Sequence, residues 1–287
     1  PLNPGIETIS LSLFSPGQAE PNFVFNNSAC FSIIEHPSLI SSVITFPPNG
    51  ITAVWRIIPF LKIAKSIPFT IIRKESVEVE NIESLLFGMA DLIPVHAEDN
   101  YTKELKKRFY YIIQKYSLKE IITEPVQFFK HRPDNFPTIR LAQLAMLYHK
   151  QQNLFSKVIV AKTVKELREL FDITISDYWQ THYQFDKASP KKKKQFSKSF
   201  IDLLVINTIV PIQFAYAKCQ GKETSESLLN LLREVAPEKN IIIEKFSGFG
   251  IKAKNACESQ SLLQLKNEYC NYSKCLQCAV GIQLLKE

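Results

Sequence analysis

Residues 82–89 read Ile-Glu-Ser-Leu-Leu-Phe-Gly-Met, and apolar side chains recur at positions 82, 85, 86 and 89. This i, i+3, i+4, i+7 spacing places them on one side of an α-helix. Positions 105, 109, 112 and 116 repeat the pattern, and the helical period dominates from about residue 54. Only 8 glycines occur in 287 residues, which argues against a turn-rich β fold. We therefore predict a mainly α protein with a short irregular or β-containing N-terminal segment.

The first fifty residues differ in texture from the rest of the chain. They are rich in Pro, Ser, Asn and Phe, and their charged side chains are three glutamates. The cluster Pro47-Pro48-Asn49-Gly50 is a strong breaker of helices and strands. We predict an N-terminal segment of strands or coil over residues 1–50, and a helical domain over residues 51–287 that ends in a cysteine cluster.

Several residues later in the chain mark the predicted beginnings and ends of helices. Pro137 is typical of a first helical position, and Thr163 with Glu166 forms a capping box. Residues 199–218 predict a long buried helix kinked at Pro211, and residues 225–236 predict a helix that ends before Pro237. Residues 259–269 predict a last amphipathic helix before the cysteines.

Composition and charge limit the classes of partner that the sequence predicts. The chain is 45% hydrophobic and 22% charged, as globular proteins are, and its net charge of +7 permits a polyanionic partner without requiring one. The longest apolar stretch, residues 201–217, contains Asp202, Asn207 and Gln213, which favours a buried helix over a membrane span. We expect no membrane partner. Residues 1–20 lack the basic and apolar regions of a signal peptide, so we expect a cytoplasmic protein.

The tail carries Cys270, Cys275 and Cys278 in C-x4-C-x2-C spacing. Converging thiolates bind soft metals, and a closed zinc site or an iron–sulfur cluster needs four ligands. Cys257 is the natural fourth ligand if the intervening helix folds back, with Cys219 or a histidine such as His182 as alternatives. The sequence thus predicts zinc or an iron–sulfur cluster on these cysteines, against the alternative of plain buried thiols.

A second candidate site is the arginine–proline segment, residues 131–140, which reads His-Arg-Pro-Asp-Asn-Phe-Pro-Thr-Ile-Arg. Its prolines hold the chain extended and then begin a helix. Arg132 and Arg140, with Asn135 between them, could present guanidinium groups to phosphate near the helix N-terminus. The alternative is that the arginines pair internally.

A third candidate combines the aromatic segment, residues 177–186, with the lysine run that follows it, residues 187–198. Aromatic and polar residues such as His182, next to lysines, are typical of a stacking platform beside a basic groove for nucleic acid. The alternative is an aromatic packing patch followed by a solvated, mobile loop. The candidate contacts in the run are Lys191, Lys192, Lys193 and Lys194.

Four segments of this sequence resemble a bacterial family catalogued as domain of unknown function 2851, and the likeness covers roughly residues 55–287. These segments are residues 82–88, residues 132–145, residues 178–186 and the tail from 265 through Cys270, Cys275, Cys278 and Gly281. The resemblance implies a relation to restriction-endonuclease-like proteins through an N-terminal region with acidic residues and a Glu-x-His word. Residues 1–50 show no such word; Glu35-His36 is the nearest. The tail resembles, more distantly, a cysteine clasp that holds an iron–sulfur cluster.

Three functions follow as hypotheses. The first is a nucleic-acid-associated module of a nuclease-like family that binds DNA or RNA. The second is a helical scaffold or interaction protein with a structural metal and no catalytic role. The third is an enzyme for a small phosphorylated or acidic substrate held near Arg132, Asn135 and His182. No hydrolytic triad, zinc-protease motif or Walker loop is present in the sequence.

Overall fold

The computed structural model describes residues 11–12, 22–23, 67–118, 128, 132–223 and 225–284. Near the N-terminus, β1 (Leu11–Ser12) pairs antiparallel with β2 (Asn22–Phe23), with Leu11 opposite Phe23. The predicted boundary at residues 47–50 lies outside the described residues. The mainly helical class is confirmed.

Four helices enclose a first hydrophobic core: α1 (Phe69–Glu75), α2 (Val79–Met89), α3 (Asn100–Tyr116) and α4 (Pro137–Lys150). The two apolar stripes predicted from the sequence lie on α2 and α3, and both face this core. The Asp99 carboxylate caps α3 by accepting from the Thr102 amide at 2.6 Å. Pro137 is the first residue of α4, as predicted.

At Gly88, the backbone of α2 packs directly against the Phe109 ring of α3. A Cβ built on Gly88 would overlap the buried ring of Phe109. Because the overlap includes the Cγ atom of the ring, a movement of the outer ring atoms alone would not relieve it. We expect Gly88→Ala to destabilise the protein by about 1–3 kcal/mol, the usual range for overpacking. Gly248→Ala is the matched control, because nothing lies within 4 Å of its Cβ position. Urea unfolding of both variants should separate them; equal stabilities would contradict this packing.

A second core begins with α5 (Leu154–Val160) and α6 (Val164–Leu170). The predicted capping contact is present, since the Glu166 amide donates to Thr163 Oγ1 at 3.2 Å. The Glu166 carboxylate accepts from the Lys162 amide at 2.8 Å, one residue before the position that a capping box uses. Met146 and Leu147 of α4 reach this second core, so α4 joins the two.

The polypeptide then forms the short helix α7 (Asp177–Thr181) and an antiparallel pair, β3 (His182–Gln184) and β4 (Lys187–Ala188). Asp186 makes the turn between the strands with a φ of 57°. Aspartate tolerates this left-handed region better than most residues. The sequence did not predict this hairpin.

The predicted long helix is present and its break takes a specific form. It runs as α8 (Lys198–Leu204), a π-helical turn (Val205–Ile209) and α9 (Val210–Cys219). Pro211 has no amide hydrogen to donate to the preceding turn, and both prolines and π turns are places where helices bend. Residues Lys198–Cys219 are long and apolar enough to cross a membrane, but 61% of the most apolar window is buried within the protein.

Three helices and the tail complete the described chain: α10 (Ser225–Glu234), α11 (Ile241–Gly248) and α12 (Ala256–Gln264). The predicted helix before Pro237 is therefore confirmed. The last predicted helix begins at Ala256, three residues early, because Asn255 caps it by accepting from the Glu258 amide at 3.0 Å. A π turn (Leu265–Tyr269), two 3-10 turns (Cys270–Tyr272, Cys275–Gln277) and α13 (Ala279–Leu284) follow.

Candidate nucleic-acid interface

The arginine–proline segment has the backbone that its prolines predict. Arg132 is extended and exposed, and Pro133–Asn135 forms a 3-10 turn before α4. The Asn135 amide donates to the Arg132 carbonyl at 2.8 Å, and the Phe136 amide donates to the Pro133 carbonyl at 3.0 Å. Arg132 is therefore an exposed residue on a backbone that is fixed by hydrogen bonds.

Arg140, by contrast, is half-buried and has partners within the protein. It donates to Asn135 Oδ1 at 2.6 Å and to Gln143 Oε1 at 2.9 Å, and it lies 4.0 Å above the ring of Phe200. Burial lowers the pKa of Arg140 to about 10. For Arg140 the internal alternative fits, because both ends of its planar group already have partners.

The aromatic segment is mostly a packing patch. Trp179 is fully buried, and its ring stacks on Phe87 of α2 at 4.8 Å between centroids. Phe185 is buried against the edge of Trp179 at 4.9 Å. Neither ring is available to stack on a base.

Tyr178 and His182 form a second layer above this patch. The Tyr178 ring lies between Tyr101, at 3.8 Å, and His182, at 4.0 Å, both nearly parallel to it. The Tyr178 hydroxyl donates to the Asp99 carboxylate at 2.6 Å and accepts from the Asp186 amide at 3.0 Å. The stacked rings and these hydrogen bonds tie the hairpin to α3.

The lysine run is mostly exposed, as the alternative of a solvated loop requires, except at Lys194. Lys194 is only 4% exposed, and its Nζ donates to the carbonyls of Trp179 (2.6 Å), Gln180 (3.3 Å) and His182 (2.7 Å). Its ammonium also lies 3.8 Å from the ring centroid of Tyr183. These carbonyls stand at the end of α7, where the helix leaves them without helical partners. Burial lowers the pKa of Lys194 to about 8.

Three of the four consecutive lysines, Lys191 to Lys193, are exposed and the fourth is buried. Lys192 forms an ion pair with Asp134 at 2.6 Å, and its amide donates to the Gln180 carbonyl at 2.9 Å. Lys194 points inward, whereas Lys191 and Lys193 are exposed.

Asp134 joins the two candidate sites into one. It accepts from Lys192 Nζ and, at 3.0 Å, from the Tyr183 hydroxyl, and the hydrogen bond from Lys192 lowers the pKa of Asp134. Nearby, Thr138 Oγ1 donates to the Tyr183 carbonyl at 2.5 Å, and Gln143 donates to the Lys194 carbonyl at 3.2 Å. The arginine–proline segment and the lysine run therefore share one surface. Asp134 and Tyr183 lie within residues 132–145 and 178–186, two of the segments that resemble the family. Their residue types alone did not predict that they would join the two candidate sites.

Glu83 is a buried carboxyl that sequence reasoning missed. It accepts from the Ser176 hydroxyl and the Tyr101 hydroxyl, each at 2.7 Å, and Trp179 Nε1 donates to Tyr101 at 3.0 Å. Burial raises the pKa of Glu83 to about 7, although both hydroxyl hydrogen bonds oppose the rise. The sequence feature that could have identified Glu83 was the position of a glutamate in the mostly apolar segment 82–89. The network holds the start of α7 against α2 and α3.

The tail cysteines are spread between solvent and interior. Cys270 and Cys275 are exposed, Cys278 is buried and Cys257 is half-buried; all four are free thiols. The tail folds back tightly at Gly281, where a Cβ would overlap the Cys275 carbonyl. Within the described residues, no three His, Cys, Asp or Glu side chains converge on a metal position. As arranged, these residues do not form a ligand set, and the metal stays a prediction.

Thiol reactivity tests whether the cysteines of the tail are plain thiols or metal ligands. From the exposures we expect Cys270 and Cys275 to react rapidly with a disulfide reagent in the native protein, and Cys278 slowly. Burial raises the pKa of Cys257, so its thiolate is scarce and its reaction is slow as well. The variant Cys270→Ser/Cys275→Ser should lose the rapid phase. Four thiols that react only after a chelator is added, with release of zinc or iron, would instead support the metal.

Comparison with known proteins identifies a family for this chain, but no similar curated protein and no similar solved structure. No curated protein and no solved structure is significantly similar to this chain. The family described as a protein of unknown function, DUF2851, matches residues 56–241. The match covers the helices of both cores up to α10, including both halves of the shared basic surface, and it ends before the cysteine tail. This chain belongs to the DUF2851 family.

Proposed function

We propose that this chain is a nucleic-acid-binding helical module in which Arg132, Lys191 and Lys193 contact phosphates. The observation that carries the proposal is the exposure of these three cations in two segments that the Lys192–Asp134 ion pair joins. The net charge of +7 supports a polyanionic partner.

Two anchors of the lysine run support the proposal indirectly. The Lys192 amide and the Lys194 ammonium both donate to carbonyls at the end of α7, and these contacts fix the backbone of the run. Lys191 and Lys193 are thus presented from an ordered segment, and binding loses less conformational entropy than it would from a mobile loop. Arg140, Asn135 and His182 serve as internal partners in this account and are not contacts to phosphate.

Binding of a fluorescein-labelled oligonucleotide at low salt is the test. We expect Arg132→Ala/Lys191→Ala/Lys193→Ala to weaken binding by about tenfold or more, because each lost phosphate contact removes a counterion-release contribution. The charge-matched control is Lys74→Ala/Lys103→Ala/Lys107→Ala, whose lysines are exposed on α1 and α3.

The control variant should bind like the wild type. Equal weakening by both variants would reduce the effect to net charge and contradict a local site. Absence of binding by the wild type, with single-stranded and double-stranded DNA and RNA all tried at low salt, would overturn the proposal.

A helical scaffold or interaction protein is the second candidate. The internal pairing of Arg140 and the burial of Lys194 favour it, because they remove two cations from the predicted contact set. It predicts wild-type behaviour for the triple variant in every nucleic-acid assay. The third hypothesis, an enzyme for a small acidic substrate, has less support, since Asn135 and His182 are already engaged by Arg140 and Tyr178.

A further inference from the structure

The helix α11 presents an apolar face that packs against no described element. Ile241 is 71% exposed at its start, and Phe249 and Ile251 are 82% and 50% exposed just beyond its end. The spacing of residues 241, 245 and 249 places Ile241, Lys245 and Phe249 along one side of the helix. Its other apolar residues, such as Phe246, are half-buried on the side that faces α12.

This exposed tip is held in a fixed shape. Gly250 has a φ of 86°, and its amide donates to the Ser247 carbonyl at 3.0 Å. The Ile251 amide donates to the Phe246 carbonyl at 3.0 Å, which completes a Schellman motif. At the other end, Asn240 caps the helix by accepting from the Ile243 amide. Phe249 and Ile251 are therefore presented by an ordered turn.

Positive charge surrounds the apolar tip. Residues 239–254 contain four lysines and one glutamate, a net charge of +3 from four minus one, and all four lysines are exposed. These lysines are Lys239, Lys245, Lys252 and Lys254. A second copy of this chain would bring like charges together, which excludes self-association as the favoured partner.

We propose that the tip of α11, residues 241–254, binds the surface of an anionic lipid bilayer. Phe249, Ile251 and Ile241 enter the boundary between headgroups and acyl chains, and the surrounding lysines contact acidic headgroups. Apolar side chains with flanking lysines are the composition of interfacial membrane helices. Two of the three exposed apolar residues are aliphatic and cannot stack on bases, which favours lipid over nucleic acid. This proposal departs from the expectation of no membrane partner, which rested on the polar residues of 201–217. Those residues argue against a spanning helix and do not bear on this surface contact.

Cosedimentation of the full chain with vesicles tests the proposal. We expect the wild type to bind vesicles of phosphatidylcholine mixed with phosphatidylserine, and not vesicles of phosphatidylcholine alone. Phe249→Ser/Ile251→Ser should weaken that binding by about tenfold or more, since it removes the inserted side chains. Val77→Ser/Val95→Ser removes two other exposed apolar residues and should bind like the wild type.

Two further measurements keep the outcomes distinct. The thermal midpoint of Phe249→Ser/Ile251→Ser should match that of the wild type, because both side chains are exposed, so a loss of vesicle binding cannot be ascribed to unfolding. Its oligonucleotide affinity should also be unchanged, which separates this proposal from the proposed function. Equal vesicle binding by this variant and the wild type would overturn the proposal. Loss of oligonucleotide binding without vesicle binding would assign the tip to nucleic acid instead.

Discussion

Lys194→Met is expected to destabilise the protein by about 3 kcal/mol. The substitution keeps an unbranched side chain that is one atom shorter, and it removes the donor to the carbonyls of Trp179, Gln180 and His182. A buried polar group without its partner costs about 1–3 kcal/mol, and partial exposure of Gln180 and His182 lets water offset part of the sum. Relief of the desolvation of the ammonium group offsets a further part.

Lys193→Met is the matched control, because Lys193 is the exposed neighbour in the same extended segment. We expect its free energy of unfolding to lie within about 0.5 kcal/mol of the wild type, as for most surface substitutions. Urea unfolding of both variants and the wild type measures the difference. Similar stabilities for Lys193→Met and Lys194→Met would contradict the inward role of Lys194.

Glu83→Gln is expected to remove a pH dependence of stability of about 3 kcal/mol. The pKa of Glu83 is raised by burial from 4.5 to about 7, and each pKa unit corresponds to about 1.4 kcal/mol. A raised carboxyl pKa means that the folded protein holds the proton more tightly than the unfolded chain does. The contribution is therefore fully present below pH 4.5 and is lost as the pH rises through 7.

The measurement is urea unfolding of the wild type and Glu83→Gln at a series of pH values from 4.5 to 8. The difference in stability between the two proteins should shift by about 3 kcal/mol in favour of the variant as the pH rises. Glu80→Gln, at an exposed position of the same helix, should follow the wild type throughout. A constant difference between Glu83→Gln and the wild type over this range would show that Glu83 titrates as an exposed carboxyl does.

Elements with one apolar side were predictable from the sequence. The stripes of α2 and α3, the start of α4 at Pro137 and the end of α10 before Pro237 all depend on periodicity and local backbone chemistry. Pro211 predicted a break in the long helix, but the π turn at Val205–Ile209 depends on how that helix packs. The hairpin of β3 and β4 is too short to show alternation.

The candidate surface was predictable only in part, because side-chain direction in the lysine run depends on distant residues. Four identical lysines give no sign of which ones face inward, and the answer comes from Asp134 and the carbonyls at the end of α7. Similarly, Glu83 is tolerated in a buried run because Ser176 and Tyr101 supply its donors. The arginine–proline segment marked the right surface, although only one of its arginines faces solvent there.

The salt dependence of oligonucleotide binding tests the central claim, a local phosphate-binding surface, most directly. Fluorescence anisotropy at several salt concentrations gives the slope of log K against log salt for the wild type and for Arg132→Ala/Lys191→Ala/Lys193→Ala. We predict that the slope of the variant is smaller in magnitude by about 2–3, roughly one for each lost phosphate contact. Parallel slopes for the two proteins would contradict contact between these three side chains and phosphate.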